Sequence, residues 1–145
     1  MAGVNALIQR LERFASNEIK QRIASKVRDA VHKECLKGFR EQRDPYGVPW
    51  APRKKAKAWA VIAFGLIDNG HKLLDDTGKM IDSLTASSTG GAVRLTFRRT
   101  YARFHQSGTS KMVARKVFPE EATGLGTWSE PVNAAAVSAV REMMK

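Results

Sequence analysis

One cysteine, Cys35, stands in a chain of 145 residues, which excludes an internal disulfide and any metal site built from several thiolates. Long apolar runs are lacking as well. The longest, WAVIAFGLI at residues 59–67, falls far short of the roughly 20 residues that cross a bilayer, so no membrane span is expected. Near the N-terminus Gln9, Arg10 and Glu12 interrupt Val4, Leu7, Ile8 and Leu11, and the unbroken apolar stretch of a secretory signal is missing. The expected compartment is the cytoplasm in which the chain is made, unless an assembly carries it elsewhere. Aromatic residues are 8%, and no single-strand-binding module with its stacking side chains is recognisable.

Catalytic groups are equally sparse. The histidines His32, His71 and His105 are widely separated. His71 and Asp75 have the spacing of helical neighbours, with Asp76 adjacent, but a solvated polar turn accounts for them without a metal ion. His105 lies among Tyr101, Phe104 and Gln106 and is expected to be a hydrogen-bonded structural histidine. Thr77, Gly78 and Lys79 resemble the end of a phosphate-binding loop. That loop needs glycine where Leu73 stands and Ser or Thr where Met80 stands, so the match fails. Dinucleotide turns, serine nucleophile elbows and cysteine–histidine pairings are absent from the sequence too. The expectation is a protein that is not an enzyme and needs neither cofactor nor metal.

Charge is abundant and one-sided. Lys and Arg total 25 against 14 Asp and Glu, a formal charge of +11, which makes a polyanionic partner worth considering. Arg94, Arg98, Arg99, Arg103, Lys111, Arg115 and Lys116 follow one another with no acid among them, and Arg53, Lys54, Lys55 and Lys57 form a second cluster. Beyond Val117 the balance reverses, with Glu120, Glu121, Glu130 and Glu142 against Arg141 and Lys145. Opposite signs on different parts of one chain suit head-to-tail association as well as DNA contact.

The length suits one domain, taken as residues 1–145. Val4, Leu7, Leu11, Phe14, Ile19, Ile23, Val27, Val31 and Cys35 recur at helical steps, which predicts a long amphipathic helix. Ser16 or Asn17 offers a second cap near a break at Ala15, and Gly38 is the expected terminator. Three prolines and a glycine in DPYGVPWAP predict an extended loop at about 40–57. Residues 59–67 fit a buried strand or a buried short helix equally. A short helix is predicted across 77–84, capped by Thr77 or Asp76, with Met80, Ile81 and Leu84 on one face. Residues 85–88 and 93–98 read as a hairpin across Thr89, Gly90 and Gly91, with Val93, Leu95 and Phe97 on one face. A last helix starts at Ser129, Glu130 and Pro131 and carries Val132, Ala136, Val140 and Met143 as its buried stripe.

Several separated segments then fall into one order. They are the N-terminal helix; Phe39 with Asp44, Pro45, Tyr46, Gly47, Val48, Pro49, Trp50, Ala51 and Pro52; Leu73, Leu74, Thr77, Gly78, Met80, Ser83 and Leu84; and Tyr101, Ala102, His105, Gln106 and Gly108. From about Leu7 to Pro119 this order resembles the phage virion morphogenesis family, the tail completion proteins of tailed bacteriophages. The apolar run at 59–67 departs from it, filling a stretch that relatives usually leave as a polar loop.

The resemblance implies an α+β subunit, with a long N-terminal helix and a C-terminal helix packed on a small antiparallel sheet. It implies a structural role at the head–tail junction of the virion, as a tail completion, tail terminator or neck subunit assembled in the host cytoplasm. Its partners would be copies of itself in a ring, hexameric by family resemblance, together with neck or connector and tail proteins. Pro45, Gly47, Trp50, Thr77, Gly78, Tyr101, His105, Gln106 and Gly108 would be structural. Arg53, Lys54, Lys55, Lys57, Arg98, Arg99 and Arg103 are candidates to face a DNA channel or an acidic partner, without reading sequence. Trp59, Ile62, Phe64 and Leu66 are candidates for a subunit or tail interface, the subunit's own core being the alternative. The competing class is a small basic nucleic-acid-binding regulator, for which no reading-head signature can be quoted.

Overall fold

A computed structural model gives the fold of the protein and describes residues 16–51 and 77–145, with Gln9, Glu12 and Leu74 besides. Helix α1 (Asn17–Glu41) is followed by strands β1 (Leu84–Thr89) and β2 (Ala92–Phe97), then by short helix α2 (Ala102–Ser107) and helix α3 (Ser129–Met143). The fold is α+β, and both long helices pack against the two-stranded antiparallel sheet. Among the described residues no helix is long and apolar enough to cross a membrane.

Gln9 and Glu12 are helical and Ser16 is a bend, so the break falls where a second cap was expected. The Ser16 carbonyl accepts from the Lys20 amide at 3.3 Å, and its Oγ stands 3.5 Å from the Ile19 amide. From there α1 buries Ala24, Val31, Cys35 and Phe39, which recur at multiples of the helical repeat and share one face. Gly38 does not end the helix, contrary to expectation. The chain stays helical to Glu41, and Gln42 takes the left-handed conformation (φ 57°). Gln42 holds that turn by donating from Nε2 to the Phe39 carbonyl at 2.7 Å, while the Arg43 amide bonds to the Gly38 carbonyl at 3.1 Å. Glycine at 38 serves the returning chain instead, since a Cβ there would stand 3.2 Å from the Arg43 carbonyl oxygen.

The chain packs as two compact units. The first comprises Met1–Glu34, Thr85–Thr96 and Thr127–Lys145. Its hairpin closes through Gly90 and Gly91, both with positive φ (59° and 81°), as a two-residue turn matched to strand twist requires. Val93 and Leu95 are half-buried while Arg94 and Thr96 face water, which is the predicted alternation. The Gln21 amide fastens α1 to this turn. Its Nε2 donates to the Ser88 carbonyl at 2.8 Å and its Oε1 accepts from the Gly91 amide at 3.4 Å. Helix α3 meets α1 through Lys26 and Glu142 at 3.1 Å. Trp128 just ahead of α3 is buried. The stripe of α3 needs correction: Val132, Ala136, Val140 and Met143 are half-buried, and small Ala139 is the buried residue, because a residue without bulk lets a neighbour approach the helix closely.

The second unit comprises Cys35–Leu84 and Phe97–Gly126. Its core includes Cys35, Phe39, Pro45, Trp50, Met80, Leu84, Ala102 and Val117. Aromatic rings run through it in a row: Trp50 sits edge-on to Phe39 (5.5 Å between centroids), Phe39 edge-on to Phe97 (6.0 Å), and Phe97 stacks on Phe118 (5.1 Å). The short helix expected at 77–84 is a single tight turn, Ile81–Ser83. Met80, preceding it, has no side-chain cap, and the Ser83 hydroxyl closes the turn on the Met80 carbonyl at 2.7 Å. Met80 and Leu84 are buried as predicted. Burial also pushes the Cys35 thiol up to about 12. The loop after α1 begins at Gln42, whereas its continuation at 52–57, the apolar run at 59–67, and His71, Asp75 and Asp76 lie outside the described residues.

Candidate interaction site

The described motif residues from Phe39 to Ala51, Thr77 to Leu84 and Tyr101 to Gly108 all belong to the second unit, whereas most of α1 belongs to the first, and side chains bonding to backbone hold these stretches. In the earliest stretch, the Asp44 carboxylate accepts from the amides of Tyr46 (2.9 Å) and Val48 (2.8 Å). The Asp44 amide bonds to the Val48 carbonyl at 2.9 Å, so the loop folds about this one side chain. Pro45 is fully buried, and Gly47 supplies the positive φ (84°) that lets the chain reverse. Trp50 is thereby turned inward, where its indole Nε1 donates to the Lys116 carbonyl at 2.9 Å.

Gln106, on α2, binds the returning chain as another strand would. Its Oε1 accepts from the amides of Val117 (2.8 Å) and Phe118 (3.0 Å), and its Nε2 donates to the Phe118 carbonyl at 2.9 Å. Gly108 makes that return feasible: φ is 73°, and a Cβ would stand 2.9 Å from the Ala114 nitrogen and 3.1 Å from the Met112 oxygen. A third tie comes from Tyr46. Its hydroxyl accepts from the Glu120 amide at 2.7 Å, meets the Thr123 hydroxyl, and lies 3.4 Å from the Gly124 carbonyl. Gly126 rests against the Pro45 carbonyl and the Tyr46 ring, leaving no space for a side chain.

His105 departs from expectation. Its ring stands edge-on to Tyr101, with 6.3 Å between centroids, and Nδ1 is buried without a hydrogen-bond partner among the described residues. Burial, then the nearby Arg115 charge, lowers its pKa and favours the neutral ring. The ring is an aromatic packing element here, since the α2 backbone and Gln106 make the polar contacts around it.

Two predicted cations converge and one does not. Arg98 and Arg99 line an open groove of about 440 Å³ with Lys79, Asp82 and Ser83. The Arg98 amide bonds to the Ser83 carbonyl at 3.1 Å, which fixes the chain after β2 beside the tight turn. Lys79, Arg98 and Arg99 are exposed, and none is in an ion pair among the described residues. Arg103 turns elsewhere, its guanidinium lying 4.8 Å over the Phe104 ring. Among the described residues there is also no cluster of His, Cys, Asp and Glu able to hold a metal ion.

This scaffold accounts for the long sequence distances between the motif pieces, and a match to the phage virion morphogenesis family spans residues 2–143. The chain belongs to that family. No curated protein and no solved structure matches it. For this phage morphogenesis protein the match runs past Pro119 and takes in α3, beyond the Leu7–Pro119 stretch whose motifs carry the resemblance.

In the morphogenesis protein Thr77 and Gly78 lead into the groove turn, and a Cβ on Gly78 would stand 3.6 Å from the Asp82 carboxylate. Arg53, Lys54, Lys55, Lys57, Trp59, Ile62, Phe64 and Leu66 lie outside the described residues. Sequence reasoning grouped Arg115 and Lys116 with the basic surface, and both are otherwise engaged. Arg115 is buried and donates from Nε to the Ala51 carbonyl at 2.8 Å. Lys116 pairs with Glu120 at 2.8 Å, a hydrogen bond that raises its pKa. Sequence reasoning met Lys79 only as the end of a phosphate-binding loop that the chain does not complete, and did not group it with Arg98 and Arg99.

Proposed function

We propose that this morphogenesis protein is a structural subunit at the head–tail junction of a tailed phage, where copies of it form a ring that closes the tail and helps it join the DNA-filled head. The observation that supports this reading is the use made of the motif. Asp44, Tyr46, Trp50 and Gln106 each bond to backbone of the surrounding loops and Gly108 leaves room for the returning chain, which ties these loops into one frame, and the same unit exposes Lys79, Arg98 and Arg99, which make no ion pair among the described residues. Such a frame suits assembly better than turnover of a substrate. The ring, its hexameric count and its neck, connector and tail neighbours follow the family resemblance. Self-repulsion at +11 keeps the free protein a monomer or weak oligomer at low salt, and the partners complete it. Sedimentation velocity at low and moderate ionic strength checks this, a tight ring at low salt being the contrary result.

The decisive experiment is a phage lacking this subunit. Separate filled heads and finished tails in electron micrographs are the expected outcome, restored to joined particles by supplying the protein. Normally joined particles without it would overturn the assignment.

The groove of Lys79, Arg98 and Arg99 meets phosphates of passing duplex DNA or the acidic rim of a neighbouring protein. Replacing all three with Ser separates the cases. If the groove meets DNA, the slope of random-duplex affinity against salt falls by about 0.9 for each phosphate no longer neutralised. A protein partner leaves that slope unchanged and lowers the yield of tailed particles.

A further inference from the structure

The C-terminal helix carries an open apolar groove of about 560 Å³, lined by Ala136, Val137, Val140, Arg141, Met144 and Lys145. Val137 and Met144 are 55% and 70% exposed, a large apolar exposure for one helix face. Arg141 and Lys145 stand at its rim, and neither is in an ion pair among the described residues.

The second unit presents a feature of complementary chemistry. After the tight turn Glu121–Thr123 the chain passes through Gly124 and Gly126, both with positive φ, and raises Leu125 between them, 41% exposed. Tyr46 holds this segment from beneath through Glu120, Thr123 and Gly124, and Gly126 is seated on Pro45. Leu125 is thus an apolar knob on a fixed base rather than the tip of a free loop. Glu121 beside it is exposed and makes no ion pair among the described residues.

We infer that the Leu125 knob of one copy docks in the Val137–Val140–Met144 groove of a second copy, with Glu121 meeting Arg141 and Lys145. The contact pairs two different patches, so repeating it carries each copy on to the next and closes a ring when the rotation permits. Apolar contact at the centre with opposite charges at the rim is the arrangement of a specific interface. The inference rests on the ring reading proposed above and names the surfaces that reading needs.

Cysteine trapping tests it directly. A disulfide forms only when the two Cα atoms come within about 7 Å, and Cys35 stays silent because it is buried. The proteins carrying Leu125→Cys and Val137→Cys are mixed at high concentration with a mild oxidant. The mixture should give severalfold more covalent dimer than either protein alone, and more than Leu125→Cys mixed with Val113→Cys, an exposed site off the groove. Dimer from either protein alone at the level of the mixture, or no dimer above that control, overturns the docking. Charge reversal supplies the second measurement. Arg141→Glu should reduce trapping severalfold, and Glu121→Arg in the opposite partner should restore it, whereas no reduction by Arg141→Glu overturns the charge pairing. The same cysteine pair carried into phage particles keeps the two proposals apart. Rings at the junction that fail to cross-link sink the docking alone, whereas cross-linked copies without a junction ring sink the location alone.

Discussion

The two units are held by different means. In the first, α1, the hairpin and α3 bury Ala24, Val31, Trp128 and Ala139 among half-buried aliphatic side chains, with exposed polar ties such as Gln21 to the turn and Lys26 to Glu142. In the second, a row of aromatic rings is enclosed by loops that fold around single polar side chains, Asp44, Gln106 and Tyr46, each serving several backbone groups at once. The first mode tolerates exchange of one apolar residue for another. The second concentrates the consequence of a substitution on a few positions, because removing one side chain leaves several amides or carbonyls without partners.

The largest effect should come from Trp50→Ala, which removes a buried ring from the aromatic row together with its bond to the Lys116 carbonyl. A loss of about 3–5 kcal/mol in denaturant unfolding is expected. Leu95→Ala in the half-buried hairpin should cost clearly less, and equal losses would break the contrast between the units. Next comes Gln106→Ala, expected to cost about 2 kcal/mol, since the amides of Val117 and Phe118 and one carbonyl lose their partner together. Gln21→Ala removes the same kind of side chain from an exposed site and should stay within about 0.5 kcal/mol. Hairpin glycines sharpen the comparison on a finer scale. Gly91→Ala should cost about 1–2 kcal/mol, from positive φ and a Cβ 3.2 Å from that of Lys20, whereas Gly90→Asn should be nearly neutral because nothing lies within 4 Å and Asn accepts that conformation.

The smallest effect is the pH dependence of His105. Its pKa is lowered in the fold, so the stability it contributes is present above the ordinary histidine value and is lost as pH falls toward the lowered one. Thermal midpoints at pH 7.5 and 5.5 should therefore fall slightly more for the native protein than for His105→Gln. An equal or smaller fall would show that the ring is not a source of acid sensitivity.

Periodic elements were legible in the sequence because burial follows a simple period. The alternation of Val93, Arg94, Leu95 and Thr96 placed the hairpin, and the helical recurrence through Cys35 placed α1. Helix ends were less legible. Gly38 carried the ordinary terminator signal, but Gln42 could support a left-handed turn with its own amide, and that choice depends on where the returning chain lies. The motif told which residues belong together without telling why. Nothing local in Arg115 distinguishes a cation buried against Ala51 from one in solvent, and nothing local in Lys79 announces that Arg98 and Arg99 arrive beside it. Such meetings are products of tertiary geometry, which periodicity does not encode.

The lone cysteine has a use beyond its place in the core. With 1% of its surface accessible and a thiol held mostly in the unreactive protonated form, Cys35 cannot be alkylated until the helix segment that carries it opens. Its labelling rate is therefore a built-in clock for local opening, readable by intact-mass measurement without introducing any probe. The same clock runs in free subunits and in finished particles, and the ratio of the two rates measures how much assembly restrains this part of the subunit.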